Sequence, residues 1–232
     1  MPQHKIPIYA KAPMTRRTGA LFVHEYGGYE TVEDFADDLP EGARVLDVGA
    51  GKSAFGLNVA RWRDDVEWTN ADIRYNMPGM RESVGRHAPP NVRYVPADAL
   101  RLLDAFEEGE FDRVFSNWMM PHISMAGRNA GVIAARNMLA VASPDGEVAV
   151  APCRPRAPGV EGRMFMVDMA EHTPAELDGI AEDMAAASRY NPIGAGLQYL
   201  VNQLAHRIEP ENAIQPEHMP TGGAATDTGQ ML

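Results

Sequence analysis

Within one short stretch, Asp47-Val48-Gly49-Ala50-Gly51-Lys52-Ser53, an acid, two glycines and a hydroxyl fall together. Glycine lets a backbone turn through positive φ and approach a ligand with no Cβ in the way. N–H groups at the start of a following helix offer donors and the positive end of a dipole. Three kinds of ligand use such a loop. A triphosphate cradle needs G-x-x-x-x-G-K-[ST]; Gly51-Lys52-Ser53 supplies its end, but Leu46 stands where the first glycine belongs. A dinucleotide fingerprint G-x-G-x-x-[GA] is met formally by Gly49, Gly51 and Ala54, with the acid Asp72 about 20 residues further on. Asp47, two residues before the first glycine, puts negative charge where a pyrophosphate would sit. The same acid suits a ligand that carries an ammonium group.

Such residues work only if regular elements bring them to one edge. Arg44 to Val48 reads as a buried strand ending in the glycine loop, and Phe55, Leu57, Val59, Ala60 and Trp62 give a helix an apolar side. Val66 to Ile73 predicts a second strand, Met80 to Arg86 a short helix and Asn91 to Val95 a third strand. Leu100, Leu103 and Phe106 mark a helix, Phe111 to Asn117 a fourth strand, and Val132, Ala135, Met138 and Leu139 a fourth helix. Ser143-Pro144-Asp145-Gly146 is a turn that leads into strand five, Glu147 to Ala151. Strands alternating with helices predict an α/β fold with a doubly wound, mostly parallel sheet. Residues 1–42 form an arm or lid, in which Val32, Phe35, Ala36 and Leu39 give a short helix its apolar side and an acidic solvated face. Residues 43–151 form the α/β core. Residues 152–209 form a helical part on the acceptor side, with Thr173-Pro174-Ala175-Glu176 as a helix start. The Pro- and Gly-rich stretch 210–232 reads as a flexible tail.

With these motifs in place, the chain resembles the class I S-adenosylmethionine-dependent methyltransferases over roughly residues 43–151. VLDVGAGKS matches the loop that holds the methionine part of the cofactor, which implies that role for Asp47, Gly49, Gly51 and Ser53. Asp72 in NADIR, followed by Ile73, matches the acid that takes both ribose hydroxyls; a carboxylate accepts two hydrogen bonds at once. ADAL matches the segment that binds the adenine edge, through Asp98 and the N–H of Ala99. FDRVFSNWMMPHI matches the fourth strand, with Asn117 bordering the methyl group and Trp118 the adenine pocket. Each acid also has a plainer use: Asp72 or Asp98 as a helix cap, Asp47 as a turn brace. The resemblance further implies a sixth and seventh strand as an antiparallel hairpin. Helical patterns stand in that region instead, so the hairpin is either concealed near Arg163 to Met169 or absent.

The resemblance implies methyl transfer by in-line displacement, in which alignment and exclusion of water do most of the work. A general base is needed only where the acceptor carries a proton to lose. His122, just after strand four, is the catalytic candidate; its alternative is a capping or packing histidine. His24, Glu25 and Tyr26 stand where the arm could line the acceptor, and Arg154, Arg156 and Arg163 with Met164, Phe165 and Met166 would suit an amphipathic or carboxylated acceptor or else form a lid or a homodimer contact. Histidines occur without an H-E-x-x-H or Cys/His pairing, so no metal is expected. With 32 acids against 21 bases the net charge is -11, which disfavours a polyanion, and SNWM lacks the Asn-Pro-Pro-aromatic pattern used on exocyclic amines of bases. The expected partner is therefore a small-molecule acceptor, with nucleic acid disfavoured and no membrane. A single cysteine, Cys153, suits a reducing cytoplasm. The alternatives are an NAD(P)-dependent oxidoreductase and a non-catalytic domain that binds the cofactor and serves a partner.

Overall fold

Apolar runs bounded by turn residues become β1 Arg44–Val48, β2 Glu67–Ala71, β3 Val92–Val95, β4 Phe111–Asn117 and β5 Ala142–Ala151. These strands pair in parallel, Asp47 standing in register with Asn70 on one side and Phe115 on the other. The structure, a computed structural model, describes residues 29–124, 127, 129–153, 160–161 and 164–189. The expected residues His24, Glu25, Tyr26, Arg154, Arg156 and Arg163, the helix after Asn191 and the tail from 210 lie outside the described residues.

Beyond β5 the sheet continues. β7 (Met164–Asp168) pairs antiparallel with β5, and the short β6 (Val160–Glu161) pairs antiparallel with β7. The order is β3-β2-β1-β4-β5-β7-β6. The hairpin is therefore present, and the sheet runs past Ala151, where the core was expected to end. Its strand is the one concealed near Arg163 to Met169: Met164 and Phe165 are both buried, which breaks the alternation that marks a half-exposed strand.

The helices are α1 Val32–Asp37, α2 Phe55–Trp62, α3 Met80–Gly85, α4 Met119–Ile123, α5 Ala130–Val141 and α6 Leu177–Ala187. They cover both faces of the sheet. On one, Met138 and Leu139 of α5 and Met184 of α6 pack with Leu102, Phe111 and Val148. On the other, Ala36 of α1 and Phe55, Val59 and Ala60 of α2 pack with Trp68 and Phe115. Strands buried on both sides read as near-continuous apolar runs; β1 is buried from Val45 to Val48, with Asp47 the polar member. Trp68 is fully buried, its ring 5.3 Å from both Phe55 and Phe115. Burying a side chain of that size contributes on the order of 2–3 kcal/mol. α2 reaches this cluster because Gly56 faces the indole, where a Cβ would overlap the ring.

Three local expectations change. The run Leu100, Leu103, Phe106 is not one α-helix but a 3₁₀ segment, Ala99–Asp104, broken at Arg101 (φ -149°, ψ 43°); Leu102 is buried instead of Leu103. The turn 143–146 sits inside β5: Ala142 pairs with Phe111 and Glu147 with Arg113, so the turn residues bulge out of the ladder. Thr173 and Glu176 do bond each other, the Thr173 N–H donating to the carboxylate at 2.8 Å, but α6 starts at Leu177, after that turn.

Candidate functional site

Five parallel strands bring their C-terminal ends to one edge, and the loops after β1, β2, β3 and β4 hold the residues singled out above. Ligands of open α/β sheets bind at that edge, where the strand order reverses. Here the reversal lies between β1 and β4.

The glycine loop after β1 is held from three directions. The Gly49 and Ala50 N–H groups donate to the Ala71 carbonyl at 2.7 and 3.2 Å. The Gly51 N–H donates to Asp72 Oδ2 at 3.0 Å, and the Tyr75 hydroxyl donates to the Gly51 carbonyl at 2.7 Å. Gly49 (φ +77°) and Gly51 (φ +61°) both lie in the left-handed region. At Gly49 a Cβ would also stand 2.5 Å from Met119 Cβ, so the loop and the start of α4 touch only because this residue is glycine. Ser53 Oγ accepts from the Phe55 N–H at 3.2 Å and so tethers the entry to α2; Lys52 is exposed.

Two carboxyl groups lie behind the loop. Asp47 is 3% exposed, and burial together with the neighbouring charge of Asp72 pushes its pKa up to about 8. A buried carboxyl raised this way is the partner a cationic group would relieve. Asp72 is also buried, and both of its oxygens are engaged. Oδ1 accepts from Arg74 N and Nε at 2.9 Å each, and Oδ2 from Gly51 N at 3.0 Å and Arg74 Nη2 at 2.8 Å. A carboxylate offers about four lone-pair sites. A ribose diol would therefore reach Asp72 by taking the place of Arg74. Ile73, half-buried, opens the 3₁₀ segment Ile73–Asn76 that Asp72 caps.

Asp98 likewise caps a 3₁₀ segment, Oδ1 accepting from the Leu100 N–H at 3.0 Å, with buried Ala99 next to it. The capping use is thus real for both acids, and it is also what orients them at the strand ends. Asn117 closes β4 half-buried, and its Oδ1 is buried with no hydrogen-bond partner among the described residues. Such an orphan costs roughly 1–3 kcal/mol unless something meets it. Trp118 adopts φ +68°, and its N–H donates to the Ala151 carbonyl at 2.7 Å, joining the ends of β4 and β5. His122 lies half-buried in the last turn of α4.

The cofactor implied by the resemblance fits these residues. Asp47 is a buried acid in want of a cation, and Asn117 Oδ1 is a buried acceptor at the strand end with no partner among the described residues. Sequence reasoning missed Arg74 and Tyr75. Their only signal was closeness to Asp72, and neither type is asked for by the loop's chemistry.

A family model described as a methyltransferase domain matches residues 45–146. A tRNA (guanine-N(7)-)-methyltransferase of an Exiguobacterium species is 34% identical over 89 residues, 38% of this chain and 40% of that protein. One from Streptococcus pneumoniae is 31% identical over 77 residues, 33% of this chain and 36% of that protein. The chain thus spans about 40% or less of the length of the curated relatives it matches. Among solved structures, a SAM-dependent methyltransferase from Aquifex aeolicus aligns with TM-score 0.46 at 16% identity, over 71% of this chain and 81% of that one.

These relatives overturn the expectation that nucleic acid is disfavoured and the acceptor a small molecule. Net charge sums over the whole chain, whereas phosphate contacts depend on a local cluster of bases. The missing Asn-Pro-Pro-aromatic pattern concerns exocyclic amines and is silent on a ring nitrogen such as N7. No helix among the described residues is long and apolar enough to cross a membrane. Motif, sheet order and family match agree: residues 45–146 match a methyltransferase domain, and this part of the chain is similar to the class I S-adenosylmethionine-dependent methyltransferases.

Proposed function

We propose that this chain transfers a methyl group from S-adenosylmethionine to a guanine ring nitrogen of transfer RNA. The observation that carries the cofactor half is the tight glycine loop beside buried Asp47 at the switch point of the sheet. The acceptor half rests on the 34%-identical relative that acts on guanine N7 of tRNA. When bound, the cofactor supplies a methyl group on a positively charged sulfur.

Asp47, Gly49, Gly51 and Ser53 hold the methionine part, Asp47 facing its ammonium group. Asp72 and Ile73 meet the ribose, Asp98 and Ala99 the adenine edge. Asn117 borders the transferred methyl and Trp118 the adenine pocket. The N7 lone pair of guanine carries no proton, so its attack needs no base. His122 then serves by orienting the base through a hydrogen bond. A cytoplasmic location belongs to the same reading, since a single cysteine suits a reducing compartment.

The test uses purified protein, cofactor labelled in the methyl group and bulk tRNA, followed by nuclease digestion and mass spectrometry. The expected product is labelled 7-methylguanosine. Label found only in a metabolite pool, with none in RNA, would overturn the acceptor. A second readout is the pH dependence of single-turnover methylation. At N7 it should be flat where histidines titrate, whereas an acceptor that loses its proton to His122 gives a rate rising with pH.

A further inference from the structure

A polyanionic acceptor needs local positive charge on an acidic chain. Arginines elsewhere on the described surface are spent on carboxylates: Arg44 on Asp112, Arg93 on Glu110, Arg101 on Asp104, Arg136 on Asp178. Arg61, Arg81 and Arg86 form no salt bridge with a described residue, and all three gather at the β3 edge of the sheet. Arg81 and Arg86 stand at the two ends of α3 and line, with Gly85 and Tyr94, an open groove of about 570 Å³ in which Glu82 is the only acid among the described residues. Arg61, near the end of α2, is close enough to act electrostatically on the Tyr94 phenol. The Tyr94 hydroxyl is buried without a hydrogen-bond partner among the described residues. The ring lies against Gly85, where a Cβ would come within 3.4 Å of it, and so the groove floor stays open.

This groove adjoins the cofactor loop. Tyr94 packs edge-on against Tyr75 at 5.5 Å between ring centres, and Tyr75 holds the Gly51 carbonyl. Arg81 and Arg86 are separated by roughly 7–8 Å of helix axis. A nucleic-acid strand presents a charge about every 3.4 Å of axis, so the pair spans more than a single phosphate. Open rims of separated guanidinium groups suit a backbone that runs past, not a small anion enclosed on all sides.

We propose that the groove between α3 and Tyr94 binds the RNA backbone, with Arg61, Arg81 and Arg86 neutralising phosphates of the strand whose guanine is methylated. This inference rests on the RNA acceptor proposed above. Binding of bulk tRNA to the full chain, measured by fluorescence anisotropy across a salt series, tests it against the double variant Arg81→Ala, Arg86→Ala. Alanine is a strong helix former, so α3 should persist, and S-adenosylhomocysteine affinity, measured alongside, should not move.

The double variant should lose tenfold or more in tRNA affinity, and its slope of log K against log salt should fall by about 2. Arg136→Ala, the loss of one positive charge on the opposite face of the sheet, should stay within twofold of the wild type. Unchanged tRNA affinity and slope in the double variant would overturn the groove. If the wild type still methylates tRNA in that case, the acceptor reading survives and only the surface is wrong. Should the wild type neither bind nor methylate tRNA, both fall together.

Discussion

Asp47 shows what one buried carboxyl does to a whole site. Its ordinary pKa of 3.8 is pushed up to about 8 by burial and by the charge of Asp72. The folded value being the higher, Asp47 favours the folded state fully below about pH 4, and this contribution is lost as the pH rises towards 8. Asp47→Asn keeps the shape and removes the titration. Its thermal unfolding should lose part of the wild-type pH dependence between 4 and 8, and the variant should gain stability relative to the wild type at pH 8. Identical pH profiles would mean that Asp47 ionises freely in the fold. A cation paired with Asp47 pulls its pKa down, so at pH 7 S-adenosylhomocysteine binding should release protons. Calorimetry in buffers of different ionisation heat reads that number, and zero release would put the ammonium group elsewhere. Asp72 is the second residue to probe. Asp72→Ala removes the acceptor of the Gly51 N–H and the partner of Arg74 as well as the proposed ribose contact. Each hydrogen bond to a charged group is worth about 1.5–3 kcal/mol, so calorimetry should show S-adenosylhomocysteine affinity falling roughly tenfold to a hundredfold. Unchanged affinity would mean that the ribose is not at Asp72.

At the scale of elements, the strand ends are only as well placed as the helices that press on them. Gly56 lets α2 lie against the Trp68 indole, and the Phe55–Trp68–Phe115 cluster ties α2 to β2 and β4. Gly56→Ala forces a methyl into the ring, and overpacking of this kind costs about 1–3 kcal/mol. Urea denaturation should report that loss, and S-adenosylhomocysteine affinity should fall with it because α2 begins just after the loop. A variant as stable as the wild type would show that α2 can slide off the indole without strain. The bounds of β1 and β4 were legible in full, because each centres on a short buried apolar stretch between turn residues. The 3₁₀ segment after β3 was not, since Leu100 and Leu103 carry helical spacing that the chain abandons at Arg101. β7 was read as part of a helical region for a related reason. Its longer pairing is with β5, which is separated from it in sequence by the stretch that includes β6.

For the whole molecule, the decisive quantity is where charge sits, and a net value of -11 conceals it. Some of the acids that look like a barrier to RNA are paired with nearby arginines, as Asp112 is with Arg44 and Glu147 with Arg113. A salt series on the wild type should accordingly show tRNA affinity falling steeply between low and physiological salt. Weak dependence on salt would point to an acceptor held by other forces. The sequence by itself determined the class of cofactor. Asp47, Gly49, Gly51, Asp72, Asp98 and Asn117 have types and spacings that few chemistries share, and β/α alternation alone delivers them to one edge. Only the tertiary structure decided the rest: that Asp72 is already engaged by Arg74, that Tyr75 braces the loop, that a hairpin completes the sheet, and that Arg81 and Arg86 line one groove. Those are contacts between residues brought together by helices folding back on a sheet, and no local period in the chain encodes a distance across it.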